Sequence, residues 1–306
     1  MTGDLGAMII EDASDKASVC NTTRATSRTG GSLQTDQASY VDALFSVTGK
    51  VALVTGGAGG IGRRIASGLT RNGCRVYITS RDRDAGYHVA EELSQFYGAG
   101  RVNPTGKCIA LHADLATEPG CLAVAQELQH RETQLNILVN NAGETRRAPL
   151  DTLSDDDWNT ILAINLKAVS HMAKYTLPLL RADASDADPA RIINIGSIDG
   201  LRAAPTEMFP YAASKAGVHH LTRAMALHLA PTITANAIAP GPFESKMLLR
   251  SIGEVGMTMA DVTAATPMAR FGSTDDIAGA IMYLSSKAGA WITGAVIPVD
   301  GGMSTG

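Results

Sequence analysis

The sequence predicts a doubly wound α/β domain, a seven-stranded parallel sheet with helices on both faces. Three observations predict it. Short, continuously apolar runs recur from residue 51 onward, and strands buried on both faces read that way. Longer segments of helical period lie between those runs, so strand and helix alternate. The first apolar run ends in a cluster of glycines, the kind of turn that such sheets place at a ligand-binding edge.

Taken in order, Val51–Thr55, Arg75–Thr79, Cys108–Ala113, Ile137–Asn140, Arg191–Ile195, Thr234–Ala239 and Ala295–Pro298 read as strands. Helical period marks Ile61–Gly73, Ala85–Tyr97, Gly120–Gln134, Ser154–Leu180 and Ala212–Ala230. Residues 1–46 are rich in Ser, Thr, Asp, Ala and Gly without a sustained period. The run Asn21–Ser32 carries too little apolar surface to offset its ordering entropy. A flexible extension over 1–46 followed by one domain over 47–306 is therefore expected. Gly98–Lys107 and Asp183–Pro189 carry Gly, Asp or Pro between elements and read as surface loops.

Composition narrows the function. The 306 residues hold 26 Lys+Arg against 30 Asp+Glu, a net charge of −4, with no basic run. That balance argues against a nucleic-acid partner. No stretch approaches the ~18 consecutive apolar residues of a membrane span. Cys20, Cys74, Cys108 and Cys121 are scattered without a C-x-x-C pair, which suits reduced thiols in the cytoplasm. The N-terminus has no basic stretch before an apolar one, and Asp4, Glu11, Asp12 and Asp15 do not suit a transit peptide. His219, His220 and His228 lack accompanying Cys or carboxylate ligands, so no metal site is expected.

The run Val51–Thr55 leads straight into Gly56-Gly57-Ala58-Gly59-Gly60-Ile61-Gly62 and then a helix. Glycines there permit the turn and let backbone approach a pyrophosphate, while the helix N-terminus offers N–H groups and a positive dipole end. Gly56, Gly60, Ile61 and Gly62 are the candidate cradle. Eighteen residues beyond Gly62, the second strand ends in Ser80-Arg81-Asp82. An acidic residue at that point would take the ribose of NAD, whereas Arg suits the 2′-phosphate of NADP, which a guanidinium holds bidentately. Asp82 reads as the N-cap of the next helix.

Tyr211 and Lys215 stand four residues apart, one turn along one helix face. A free phenol titrates near ~10 and is a poor acid–base at neutral pH. A nearby ammonium favours the phenolate, and a drop of ~3 units corresponds to ~4 kcal/mol. Ser197 follows the strand Arg191–Ile195, where a hydroxyl can donate to a carbonyl oxygen that gains charge.

The spacing Thr55-Gly56-x-x-x-Gly60-Ile61-Gly62, with Ser197 and Tyr211-x-x-x-Lys215 in order behind it, resembles the short-chain dehydrogenase/reductase family. The resemblance runs from Gly49 to Gly302 and leaves 1–46 outside. It implies a Rossmann-type, single NAD(P)-binding catalytic domain over 47–306, with Asn165, Ser197, Tyr211 and Lys215 catalytic. Asn165 would kink its helix and hold a relay water beside Lys215. Asp114 with Leu115 would meet adenine, and Asn141, Ala142 and Gly143 would underlie the adenine-ribose side. Pro240, Gly241 and Ser245 match the turn that holds the nicotinamide carboxamide, with Ser245 in place of Thr. Ser80 stands where NAD-preferring members carry Asp, so NADP(H) is the expected cofactor and NAD(H) the alternative. Gly59 departs from the basic residue many NADP members carry in the loop. The Ser197-to-Tyr211 interval of 14 residues is one longer than is commonest in the family.

Within the family, Pro189–Ser197 and the ending Thr293–Gly302 look most like the 3-oxoacyl-ACP reductase group, particularly its rhamnolipid-type branch. The expected reaction is NADPH-dependent reduction of a small-molecule ketone, foremost a 3-oxoacyl thioester or similar apolar ketone. Two alternatives stand beside it: oxidation of a sugar, steroid or polyol alcohol, and a non-catalytic nucleotide-binding regulator. Met247, Met257, Met259 and Met268 mark Lys246–Met268 as a mobile substrate lid. Ser154–Leu180 and Ala212–Ala230 carry apolar residues on more than one face, which must be covered. The family buries such helices between subunits, so a homo-oligomer, dimer or tetramer, is expected.

Overall fold

The computed structural model describes residues 39–98, 106–203 and 206–305. Residues 1–38 of the expected extension and most of the Gly98–Lys107 insert lie outside the described residues. Among the described residues, seven strands form one parallel sheet. They are β1 (Val51–Val54), β2 (Arg75–Ser80), β3 (Lys107–His112), β4 (Ile137–Asn140), β5 (Ala190–Ile195), β6 (Ile233–Pro240) and β7 (Val296–Val299). Their order is β3-β2-β1-β4-β5-β6-β7. The order reverses at β1, which pairs Leu53 with Tyr77 of β2 on one side and Leu138 of β4 on the other. A doubly wound sheet opens a ligand crevice at the carboxyl ends of the strands beside that reversal.

Along β1 the side chains alternate between two cores, as a pleated strand requires. Ala52 and Val54 join Ile65, Leu69, Val76, Ile78, Ile277 and Ile281 on one face. Val51 and Leu53 join Leu128, Leu138, Met172, Leu180 and Ile192 on the other. The helices covering the first face include α2 (Gly60–Arg71), α3 (Arg83–Gly98) and α10 (Thr274–Ser285), and those covering the second include α4 (Glu118–Arg131) and α6 (Ala168–Arg181). Gly68 lets α2 approach α10, since a Cβ there would stand 2.6 Å from the Ala278 methyl. The arginine in apolar β5 has a reason. Arg191 is fully buried and donates to Leu284 O at 3.1 Å, Ser286 O at 3.0 Å and Asp188 Oδ1 at 3.1 Å, tying the strand to the end of α10.

Two features of the helices bear on the site. The helix expected over Ser154–Leu180 is three pieces: α5 (Asp155–Leu162), a π-turn over Ala163–Lys167, and α6. Ser154 and Asp157 form a capping box at the start of α5. The stretch Lys246–Met268 contains two short helices, α8 (Lys246–Gly253) and α9 (Met259–Ala265), joined through Gly256 at φ +69°. Within 39–46 the chain forms α1 (Tyr40–Phe45), capped by Ser39 and Asp42, with Phe45 6.4 Å from the ring of Tyr283. The remaining long helix is α7 (Phe209–Leu229). No helix of the described residues is long and apolar enough to cross a membrane.

Candidate active site

The glycine loop begins where β1 ends and is shaped from below by Thr55, Thr79 and Asn141. Thr55 Oγ1 accepts from the main-chain N–H of Asn141 at 2.8 Å and of Ala142 at 3.0 Å. Asn141 Nδ2 donates to Thr55 O at 2.8 Å and to Gly56 O at 3.3 Å, and Gly56 N donates to Thr79 Oγ1 at 3.0 Å. Glycine is required at two of these positions. Gly56 has φ +63° and a Cβ there would sit 3.0 Å from Ala142 Cα, while a Cβ on Gly62 would collide with Gly56 O and Asn141 Nδ2. The outer side is open: nothing lies within 4 Å of a Cβ on Gly59, and Gly59 gives the start of α2 no capping side chain. Uncapped N–H groups at a helix start, behind a cradle that side chains would fill, fit a dinucleotide pyrophosphate.

The rest of the predicted cofactor site gathers around this loop. A Cβ on Gly60 would lie 3.3 Å from Ser245 Cβ, so the turn after β6 faces the glycines. Ser245 Oγ caps α8 by accepting from Leu248 N at 3.1 Å. Gly241 N donates to Val299 O at 3.0 Å, and a Cβ on Gly241 would meet Asp300 at 2.7 Å. Pro240 is the last residue of β6. Asp114 is exposed after β3 with Oδ1 accepting from Ala116 N at 3.1 Å, and Leu115 is buried behind it. Asp82 caps α3 as expected, accepting from Ala85 N at 3.0 Å. Ser80 Oγ donates to Asp82 O at 2.7 Å, and Arg81 is ion-paired with Glu144.

At the end of β5 the catalytic candidates converge. Ser197 is buried, and its Oγ accepts from Asp199 N at 3.1 Å and lies 3.4 Å from Asp199 Oδ2. The phenol of Tyr211 lies beside Ser197. Burial pushes that phenol up to about 12; the Ser197 hydroxyl opposes the rise, and the Asp199 carboxylate adds to it. Lys215, one turn along α7, is 5% exposed, donates to Ile195 O at 2.8 Å and lies 5.6 Å from the centre of the Tyr211 ring. Burial lowers its ammonium to about 8. Behind it His219 packs against Gly196 and Gly200, and burial holds its imidazole below the usual range.

Asn165 sits in the π-turn beside Lys215: a Cβ on Gly143 would lie 3.1 Å from Asn165 Oδ1 and 3.7 Å from Lys215 Nζ. Its amide, however, is already committed. Oδ1 accepts from Glu144 N at 2.8 Å, and Nδ2 donates to Glu144 O at 3.0 Å and Ser214 Oγ at 3.0 Å. Both ends of the amide are satisfied within the protein, so the side chain clamps the main chain of Glu144. Sequence reasoning missed Glu144 and Asp199. A charged residue directly after Asn141-Ala142-Gly143, and another two places after Ser197, were the available signals.

A family model described as Enoyl-(Acyl carrier protein) reductase matches residues 56–304. The chain is 40% identical over 259 residues to the rhamnolipids biosynthesis 3-oxoacyl-[acyl-carrier-protein] reductase of Pseudomonas aeruginosa, covering 84% of this chain and 97% of that protein. It is 33% identical over 281 residues to the short-chain dehydrogenase/reductase PhomF of Diaporthe leptostromiformis, covering 85% and 92% respectively. The solved Pseudomonas aeruginosa RhlG/NADP active-site complex matches it with a TM-score of 0.78 at 40% identity, over 86% of this chain and 99% of that one. Likeness at this level, over nearly the full length of each relative and through both the glycine loop and the β5 site, means that the chain belongs to the short-chain dehydrogenase/reductase family.

Proposed function

We propose that the protein is an NADPH-dependent carbonyl reductase acting on a small-molecule ketone, foremost a 3-oxoacyl thioester or similar apolar ketone. The observation that carries the reading is the convergence of Ser197, Tyr211 and Lys215 at the end of β5, beside an open glycine cradle. The group held would be NADP(H), bound in the solved relative and here by the Thr55–Gly62 loop, Arg81, Asp114, the Asn141–Gly143 segment, Lys215 and the turn from Pro240 to Ser245. When bound it supplies a hydride. The chain's residues do the rest. Ser197 Oγ holds the carbonyl oxygen, Tyr211 gives it a proton, and the Lys215 ammonium stabilises the phenolate left behind. Asn165 completes the proton relay beside Lys215, while its amide clamps the main chain of Glu144.

The proposal extends to a homo-oligomer, dimer or tetramer, in the cytoplasm, with residues 47–306 as the catalytic domain behind an extension. Apolar side chains left exposed on α7 support the oligomer, Leu227 at 76% above all. One observation favours a second reading. Asp199 places a half-buried carboxyl against Ser197, where it would accept from a hydroxyl next to the reacting carbon. That arrangement suits a polyol or hydroxyketone. A matched panel of 3-oxoacyl thioesters and hydroxyketones separates the two. The central test is Tyr211→Phe. General acid catalysis contributes about 10²–10⁴-fold, so turnover should fall by that factor while NADPH fluorescence still reports binding. A variant that keeps most of its turnover overturns the proposal.

A further inference from the structure

Glu144 follows β4 and Arg81 follows β2, and β1 lies between those strands in the sheet. An ion pair that joins Arg81 to Glu144 therefore links the carboxyl-end loops of the two strands that flank β1. The base of Glu144 is fixed, because Asn165 holds both its N–H and its C=O. Its two carboxylate oxygens face two arginines. Oε1 meets Arg81, and Oε2 lies 3.7 Å from Arg250 Nη2 on α8. The Glu144 side chain is 30% exposed and that of Arg81 64%, so the pair sits at the mouth of the cleft and not in the core.

We infer that Glu144 guards the cofactor cleft: its carboxylate holds Arg81 across that cleft, and every dinucleotide that enters must part the pair. The inference rests on the proposed reading of Arg81 as the partner of the 2′-phosphate. NADP brings a replacement for what it breaks, since a phosphate carries more charge than one carboxylate and accepts bidentately from the same guanidinium. NAD brings none. Arg250 remains beside the displaced carboxylate and keeps it paired, which makes the opening reversible at modest cost. A carboxylate so placed opposes both cofactors equally at the entry step, and Arg81 alone then tells them apart.

Fluorescence titration of the cofactor-free full chain with NADPH and with NADH tests this, using Glu144→Gln, Arg81→Ala and the double variant. An exposed ion pair is worth less than a decade in affinity. Glu144→Gln should therefore tighten both cofactors by about 2–5-fold. Arg81→Ala should move them in opposite directions, tightening NADH by the same factor and weakening NADPH by about tenfold or more. In the Arg81→Ala background, Glu144→Gln should change neither Kd. Unchanged or weaker binding by Glu144→Gln overturns the inference. So does tightening that persists without Arg81, which would mean direct repulsion between the carboxylate and the phosphate. If Arg81→Ala leaves NADPH affinity intact, the reading of Arg81 itself fails, an outcome distinct from a null result at Glu144 alone.

Discussion

Replacing the buried Lys215 should make the cofactor-free protein more stable, and by an amount that depends on pH. Lys215 is 5% exposed, and burial lowers its ammonium from an ordinary 10.5 to about 8. The native state thus carries a cost of about 3 kcal/mol for keeping that group charged at neutral pH, at 1.36 kcal/mol per pKa unit. Lys215→Met removes the charge and keeps most of the volume. It also strips a donor from Ile195 O, bonded at 2.8 Å, which gives back about 1 kcal/mol. The net gain of about 2 kcal/mol corresponds to about 4–8 °C in Tm for a domain of this size. The sign follows from proton linkage. Below pH 8 both native and unfolded chains hold the proton, so the cost stands in full. Between about 8 and 10.5 the unfolded chain binds the proton and the native one does not, so stability of the unmodified protein rises with pH and the gap closes. Thermal melts of both proteins at pH 7, 8, 9 and 10 measure it. A Met variant that melts below the parent at pH 7, or a gap that stays constant to pH 10, would refute the argument.

Two further outcomes follow from the same geometry. Gly62→Ala lies in a helix where alanine would ordinarily gain about 1 kcal/mol; because its Cβ would collide with Gly56 O and Asn141 Nδ2, NADPH affinity should instead fall by more than tenfold with a lower Tm, and parental binding with a raised Tm would contradict it. Ketone reduction, measured as kcat/KM at saturating NADPH, should hold up to about pH 8 and then decline, since loss of the Lys215 proton removes the cation that stabilises the Tyr211 phenolate. Lys215→Arg should carry that decline to higher pH, and a profile rising through pH 8 would count against the assigned roles.

What the sequence determined by itself was local. The glycine loop was legible because its geometry depends on residues six places apart at the end of one strand, and the pairing of Tyr211 with Lys215 because a helix brings i and i+4 to one face. The seven strands and their parallel arrangement followed from burial on both faces, which writes itself into continuous apolar runs such as Val51–Val54 and Ile137–Asn140. Asp82 as a cap needed only its neighbours. The tertiary structure decided the rest. The resemblance marked Asn165 as a helix kink but not its partners: the π-turn there is stabilised by the fit of Asn165 to Glu144 and Ser214, 21 residues before it and 49 after it. The partner of Arg81 was equally hidden. Glu144 lies 63 residues away, and only the order β2-β1-β4 brings the two strand ends to opposite sides of one cleft. A long charged side chain at a strand end has many partners within reach, and its local sequence favours none of them; packing of distant elements removes all but a few.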